Sequence, residues 1–202
     1  MLLRGWFVKQ RVQVEMSDKE DKITNIPSIE DHHYLLFNKD FDPSSCGDAM
    51  EFIIARNLMR KDRPKHIKMI INSPGGEVGS AFALIDTIKG SKIPVYTYGL
   101  GEIASCGLMT FIAGEKGHRY VTRNTAILSH QYSWGSYGKE HELMARVKEF
   151  NNTHARIVEH YKRCTGLDEK SIKKYLLPAE DVWLTAKEAV KYGIADEIVE
   201  FY

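Results

Sequence analysis

The chain has 202 residues, of which 43% are hydrophobic, which suffices for one sizeable core but not for a second full domain. Its 28 lysine and arginine residues balance 27 aspartate and glutamate residues, so no excess charge indicates a nucleic acid or an anionic membrane as partner. The three cysteines are widely spaced and contain no C-x-x-C pair, which argues against a disulfide framework and favours a reducing cytoplasm.

Neither apolar segment of the chain has the character of an export signal or a membrane span. Charged residues interrupt the apolar N-terminus from Arg4 onward, and Glu102 with several glycines interrupts the apolar stretch 93–114. We therefore expect no membrane contact. Residues 1–32 are charge-dense and predict an exposed N-terminal arm, and the compact domain is predicted to span residues 33–202.

Apolar runs alternate with amphipathic patterns along the compact domain. Strands are predicted at 34–37, 67–71, 94–98 and 126–129, and helices at 48–59, 78–88, 105–113 and 140–163. This order predicts an α/β fold with right-handed crossover connections.

The predicted helix 140–163 carries one apolar stripe. Its members recur at steps of three and four residues: Leu143, Val147, Phe150, His154, Ile157 and Tyr161. The stripe fits a helix that packs on the core and equally a helix that projects towards another subunit.

Ser105 lies at a predicted strand-to-helix turn among small residues, Gly101, Ala104 and Gly107. Such a turn lets a serine hydroxyl point into a cleft, and the N–H of Cys106 at the start of the helix is free to donate to an anion. Nothing near Cys106 indicates a depressed thiol pKa, so a structural role is favoured for its side chain.

A second anion-binding turn and a base follow from two other segments. The turn Pro74-Gly75-Gly76 comes after a buried strand, and either glycine offers an unobstructed backbone N–H. His130 follows the strand 126–129, at the end where α/β sheets place their ligands. The histidine spacing matches no metal site, so we expect no metal and no other cofactor.

A carboxylate that could orient the histidine is expected near residue 181. Thr185 and Glu188 form a capping box, which places the preceding Glu180 and Asp181 on an ordered turn. Spacing alone does not choose between these two acids.

From about residue 33 to the C-terminus, the chain resembles the proteolytic subunit of the Clp protease, a ClpP-like serine peptidase. Four motifs in order carry the resemblance: Ile71 to Gly76, Ala104 to Gly107, Ser129-His130-Gln131, and Asp181 to Glu188 followed by Tyr192 to Asp196. The resemblance implies that Ser105 is the nucleophile, His130 the general base and Asp181 the orienting acid. It also places the oxyanion-binding N–H groups at Gly76 and Cys106.

The same resemblance implies a ClpP/crotonase-like fold with a protruding handle helix at 140–163, which would join two stacked heptameric rings around a proteolytic chamber. Unfolded polypeptides would bind as an added strand and be cleaved inside it, with a Clp-type AAA+ ATPase as partner. The substrate-binding residues implied are Gly75, Val78, Ser133, Trp134 and Gly135.

The chain departs from the family pattern at three places, one of which is the arm before His33, which has no clear match to the family's axial-loop segment. Tyr132 and the segment Ser133-Trp134-Gly135 stand where relatives usually have proline and paired glycines, which predicts a narrower or differently selective groove. The positions of the aromatic residues that line the family's ATPase-docking pocket hold Lys68, Ile70 and Ile85 here, and a lysine there would weaken apolar docking.

Three other functions are alternatives to a serine peptidase. A catalytically silent ring subunit is disfavoured because all three triad positions are occupied. A crotonase-type acyl-CoA enzyme shares the fold, but no adenine-binding signature supports it. A signal-peptide peptidase relative with a Ser-Lys dyad would need a membrane anchor.

Overall fold

The computed structural model describes residues 28–200, in which strands and helices alternate along the chain. The strands in this range are β1 (Tyr34–Phe37), β2 (Ile67–Ser73), β3 (Val95–Ala104), β4 (Arg119–Val121), β5 (Ala126–Ser129), β6 (Val182–Leu184) and β7 (Glu197–Ile198). The α-helices are α1 (Pro43–Leu58), α2 (Val78–Gly90), α3 (Cys106–Ile112), α4 (Glu140–Thr165), α5 (Glu169–Tyr175) and α6 (Ala186–Lys191). A short 3-10 helix, Ile29–His32, precedes β1, and the rest of the predicted arm lies outside the described residues.

The sheet divides at its longest strand, β3. One branch continues through parallel neighbours in the order β1-β2-β3-β4-β7. On the other branch, β5 pairs in parallel with the last residues of β3, and β6 runs antiparallel to β5. The last part of β3 therefore turns away from β4 and towards β5, and the predicted α/β class is confirmed.

A bulge in β3 separates the two branches. Ile71 pairs with Gly99 and Ser73 pairs with Ile103, so Asn72 alone faces residues 100–102. Bulges of this kind bend a strand and redirect the residues that follow it.

The helices cover one face of the sheet. Along β2, Ile67, Met69 and Ile71 are buried, whereas Lys68 and Ile70 are partly exposed. This alternation is the period of two that a strand produces when one face meets a core. Buried residues of α1, α2 and α3 belong to the same apolar core.

Helix α4 is divided along its length. Its buried residues all lie in the second half: Thr153, Ile157, Val158, His160, Tyr161 and Cys164. In the first half, Met144 and Val147 are 65% and 42% exposed. The second half of the helix therefore packs on the core, whereas apolar side chains in the first half are exposed.

A buried ion pair fixes the chain near its C-terminal end. Arg119 is 2% exposed and donates to both carboxylate oxygens of Asp196, at 2.8 Å from Nε and 2.6 Å from a terminal nitrogen. A further guanidinium nitrogen donates to the carbonyl oxygen of Cys164 at 2.9 Å. Strand β4, the end of α4 and the segment before β7 are thus held by one side chain.

Two expectations require correction. Helix α1 begins at Pro43 rather than near residue 48, because Asp42 caps it and accepts a hydrogen bond from the N–H of Ser45 at 2.7 Å. Ile85 is 2% exposed and belongs to the core, so it cannot line an open docking pocket in this chain.

None of the helices within residues 28–200 combines the length and the apolar character that crossing a membrane requires.

Candidate active site

Ser105 occupies a strained turn between β3 and α3. Its backbone has φ 54° and ψ −118°, a region that residues with a side chain rarely adopt, at a cost of about 1–3 kcal/mol. The Ser105 N–H donates to the carbonyl oxygen of Leu128 at 3.0 Å, and its own carbonyl accepts from Met109 at 3.0 Å. Hydrogen bonds on both sides hold the turn, which projects the serine side chain from the end of the strand.

Glycine is required where other backbone approaches this turn. A Cβ atom on Gly75 would lie 2.7 Å from the Cβ of Ser105, and Gly75 has φ 109°. A Cβ atom on Gly107 would lie 2.9 Å from the carbonyl oxygen of Ser73. The Ser73 to Gly75 segment therefore lies directly against the nucleophile turn.

Two backbone N–H groups are available at the site. Phe41 anchors the glycine turn, since its N–H donates to the Gly75 carbonyl at 2.8 Å and its carbonyl accepts from Glu77 at 2.7 Å. The amide of Gly76 between them, and that of Cys106 at the first position of α3, donate to no acceptor within residues 28–200. Free donors of this kind are what an oxyanion hole requires.

The Cys106 side chain contacts the same glycine turn. Its thiol donates to the carbonyl oxygen of Gly76 at 3.3 Å. Burial raises the pKa of Cys106 to about 11, so the group is a thiol and not a thiolate at neutral pH. This environment agrees with a structural role for the side chain.

Strand pairing brings His130 and Asp181 together. Ser129 at the end of β5 pairs with Val182 at the start of β6, so the next residue of one strand faces the preceding residue of the other. The Nδ1 atom of His130 lies 4.0 Å from Oδ1 of Asp181. No ion pair joins Glu180 to His130 in the described part of the chain, so the geometry favours Asp181 of the two acids.

A second pairing, of β5 with β3, brings His130 towards the nucleophile turn. Ala104, the last residue of β3, pairs with Leu128, which places Ser105 level with the residue before His130. Over residues 28–200, however, no hydrogen bond joins the Ser105 hydroxyl to His130. His130 is 21% exposed and Asp181 is 66% exposed. Strand register therefore brings the three residues to one end of the sheet, and no continuous hydrogen-bond chain joins their side chains within residues 28–200.

The predicted substrate-binding residues fall into two groups. Gly75 is buried beneath Ser105, and Val78 is the partly buried first residue of α2. Ser133, Trp134 and Gly135 are exposed in the loop between β5 and α4.

Trp134 ties this loop to the handle helix. Its ring lies 5.3 Å from that of Phe150 on α4, and the ring of Tyr132 lies 5.2 Å from Phe150 on the same helix. The Tyr132 hydroxyl also donates to the Phe150 carbonyl at 3.3 Å. Tyr132 and Trp134 therefore fasten the loop to α4.

Three polar residues near the site escaped the sequence prediction. Asn72 accepts a hydrogen bond from the N–H of Glu102 at 2.9 Å, inside the bulge of β3. Ser129 and Tyr161 bond to each other beneath His130, at 3.1 Å. Asn72 lies within the motif Ile71 to Gly76, so the sequence already points to its neighbourhood. The hydrogen bond between Ser129 and Tyr161 is non-local, so no short run of residues predicts it.

No group of three or more histidine, cysteine, aspartate or glutamate residues within residues 28–200 is arranged to hold a metal ion.

Comparison with known protein families matches residues 42–201 to the family described as Clp protease. This match and the observed α/β architecture confirm the ClpP-like fold, with α4 as its handle helix. The matched segment contains the glycine turn, Ser105, Cys106, His130 and Asp181, and the chain belongs to the Clp protease family.

Proposed function

We propose that the protein is a serine endopeptidase in which Ser105 attacks the peptide bond, His130 is the general base and Asp181 orients the imidazole. One observation carries this proposal. The strained Ser105 turn lies against the glycine turn, and the nearby amides of Gly76 and Cys106 donate to no acceptor within residues 28–200. Strand register sets Ser105 level with Ser129, whose neighbour His130 lies 4.0 Å from Asp181. A nucleophile, oxyanion donors, a base and an acid in one place are the parts that acyl transfer requires.

In the proposed reaction, the Ser105 hydroxyl oxygen bonds to the carbonyl carbon of the substrate as its proton passes to Nε2 of His130. The N–H groups of Gly76 and Cys106 stabilise the resulting oxyanion. The carbon–nitrogen bond then breaks, and His130 gives its proton to the leaving amine. A water molecule, deprotonated by His130, hydrolyses the acyl-enzyme and restores Ser105.

Asp181 is suited to fixing the imidazole in this scheme because it lies nearest to Nδ1. The 4.0 Å separation puts the negative charge on the side of the ring opposite to Nε2. A carboxylate there stabilises the imidazolium that forms when the base accepts a proton.

The substrate is proposed to be an unfolded polypeptide that binds as an extended strand. The exposed Gly76 backbone forms one side of the groove, and the exposed segment Ser133 to Gly135 forms the other. Trp134 on the second side is 43% exposed, and its bulk in place of a small residue is expected to make the groove narrower or differently selective.

Assembly and partnership belong to the same proposal. The exposed first half of α4 is suited to a contact between subunits, and family membership supports two stacked heptameric rings that enclose the active sites in the cytoplasm. A Clp-type AAA+ ATPase would deliver unfolded chains to that chamber.

Hydrolysis of a fluorogenic peptide library by the wild type and by Ser105→Ala tests the activity. We expect the substitution to lower kcat by about a millionfold, as loss of a triad serine does in another protease. Equal hydrolysis by both proteins would overturn the assignment of Ser105.

A second candidate is a catalytically silent ring subunit. It is favoured by one observation, the lack of a hydrogen bond between Ser105 and His130 within residues 28–200. Catalytic hydrogen bonds are often long in the absence of substrate, so this observation weighs less than the assembled site. A wild-type protein that forms rings and cleaves no member of the library would favour the silent subunit.

A further inference from the structure

A chain of three hydrogen-bonded groups lies under His130. The Ser129 hydroxyl lies 3.1 Å from the Tyr161 hydroxyl and 2.6 Å from the carbonyl oxygen of Leu176. Ser129 and Leu176 are 0% exposed, and Tyr161 is 1% exposed. The three groups are therefore shielded from water. In such a buried place, a polar group without a hydrogen-bond partner lowers the stability of the fold.

The direction of these hydrogen bonds follows from the number of protons. The Leu176 carbonyl only accepts, so the single proton of the Ser129 hydroxyl is donated to it. The Tyr161 phenol must then donate to Ser129. Burial raises the pKa of Tyr161 to about 12, so the phenol keeps its proton at neutral pH.

These hydrogen bonds of Ser129, Tyr161 and Leu176, here called the bridge, join α4 to the two segments that carry the base and the acid. Tyr161 belongs to α4, Ser129 is the residue before His130 at the end of β5, and Leu176 begins the segment that leads to Asp181. On the other side of His130, the Gln131 amide donates to the carbonyl of Leu177 at 3.1 Å.

Both neighbours of His130 are thus bonded to the segment that carries Asp181. From this arrangement we infer that Ser129 and Tyr161 are positioning residues for His130, and that their bridge sets the placement of the imidazole relative to Asp181 and Ser105. Neither side chain touches substrate or the reacting atoms. The expected change in kcat rests on the proposed peptidase function. The expected displacement of the His130 ring rests only on the observed hydrogen bonds.

The two hydroxyl groups are unequal in this arrangement. Tyr161→Phe removes one donor but leaves the bond from Ser129 to Leu176. Ser129→Ala leaves both the Tyr161 phenol and the Leu176 carbonyl without a partner in a buried place. Because an unpaired buried polar group is penalised more than a hydrogen bond removed with both its partners, Ser129→Ala is the more disruptive change.

The test compares Ser129→Ala, Tyr161→Phe and the double variant with a matched control, Thr97→Val. Thr97 is 0% exposed, and its hydroxyl donates to the Phe111 carbonyl at 2.8 Å, away from His130. All four variants lose a buried hydroxyl, but only the first three alter the bridge.

We expect Ser129→Ala to lower peptidase kcat by about tenfold or more, since a small displacement of a catalytic group is enough to do so. KM should stay within about twofold, because the bridge lies outside the substrate groove. Tyr161→Phe should lower kcat less, and the double variant should lose less than the product of the two single effects. Thr97→Val should keep the wild-type kcat.

A second measurement does not depend on activity. In protein labelled with ¹⁵N-histidine, the His130 ring signals, assigned with His130→Gln, should move in the bridge variants and stay in place in Thr97→Val. Unmoved signals together with a kcat equal to that of Thr97→Val would overturn the inference. If Ser129→Ala fails to fold, Tyr161→Phe, which keeps the ring in the core, decides alone. If the wild type proves inactive, the peptidase proposal fails, and the His130 signals still decide the role of the bridge.

Discussion

The side chain of Asn72 accepts a hydrogen bond from the backbone N–H of Glu102, with 2.9 Å between Oδ1 and the nitrogen. The bond spans the bulge at which β3 leaves β4 and continues beside β5. Gly101 makes room for it, since a Cβ atom there would lie 2.7 Å from Oδ1 of Asn72. Because β3 ends at Ala104, one residue before Ser105, this contact sets the path of the backbone that reaches the proposed nucleophile.

Asn72→Ala should therefore weaken catalysis without unfolding the protein. We expect kcat for a fluorogenic peptide to fall by about tenfold as the bulge relaxes and Ser105 shifts. Asn57→Ala is the matched control, because Oδ1 of Asn57 accepts from the N–H of Lys92 at 2.8 Å, away from the site. Equal kcat in the two variants would show that the Asn72 contact does not position Ser105.

Gly75→Ala should inactivate the enzyme by displacing Ser105. The new methyl group would meet the Cβ of Ser105 at 2.7 Å, and a displacement of about 1 Å can cost about a hundredfold in rate. Gly117→Ala separates this clash from backbone strain, since Gly117 has φ 88° but no atom within 4 Å of the added carbon. Both variants should lose stability in thermal unfolding, whereas only Gly75→Ala should lose peptidase activity. An active Gly75→Ala variant would contradict the close approach of the two turns.

Asp196→Asn should destabilise the fold strongly. It leaves the guanidinium of Arg119, 2% exposed, without its counter-charge, which typically costs about 3–5 kcal/mol in the free energy of unfolding. Asp48→Asn removes the exposed partner of Lys39 and should cost at most about 1 kcal/mol. Urea unfolding at neutral pH measures both, and similar losses in the two variants would contradict the role given to the Arg119 pair.

The Asp196 carboxylate is also expected to contribute to the loss of folding stability in acid. Burial acts to raise the pKa of Asp196, but the hydrogen bonds and charge of Arg119 outweigh it and hold the pKa below its ordinary 3.8. A lowered pKa in the folded state contributes stability above the unfolded value, and that contribution is lost as the pH falls below about 3.8. Asp196→Asn should therefore flatten the stability curve in this acid range.

His160 is expected to make the folding stability depend on pH between about 4 and 6.5. Burial lowers its pKa from 6.5 to about 4, and its Nε2 atom lies 2.8 Å from the Met109 carbonyl oxygen on α3. Between these values the unfolded chain binds a proton that the folded chain does not, so stability should fall by roughly 3 kcal/mol as the pH drops from 6.5 to 4.

Urea unfolding at several pH values tests this window. His160→Leu should remove most of the slope between pH 6.5 and 4, because leucine does not titrate. His141→Leu is the control, since His141 is exposed at the start of α4 and should leave the slope in place. An unchanged slope in His160→Leu would show that other groups cause the pH dependence.

Local sequence patterns predict the strands and turns that carry the site residues. The pairing of strands distant in sequence, which brings these residues together, is not predicted by such patterns. The turn at Ser105, the glycine turn at Gly76 and the strand before His130 could each be recognised from a short run of residues. The antiparallel pairing of β6 with β5, which brings Asp181 to His130, involves segments that lie about fifty residues apart, and β6 is only three residues long. Short strands carry too little periodicity to be predicted.

Two further differences have specific physical causes. Two glycines, Gly99 and Gly101, indicate a strand end in the sequence, but the strand predicted at 94–98 continues to Ala104. Gly99 stays paired with Ile71, and the bulge accommodates Gly101. Tyr161 was recognised only as a member of an apolar stripe. Its ring does pack in the core, but its hydroxyl depends on Ser129, a partner that helical spacing cannot reveal.

The most direct test of the central claim is covalent labelling of Ser105 with a fluorophosphonate probe, followed by intact-mass analysis and peptide mapping. Wild-type protein should gain one adduct on Ser105, and Ser105→Ala and His130→Ala should gain none, because the hydroxyl reacts only when a base activates it. Folded wild-type protein that gains no adduct, or labels equally without His130, would contradict an activated serine at this site.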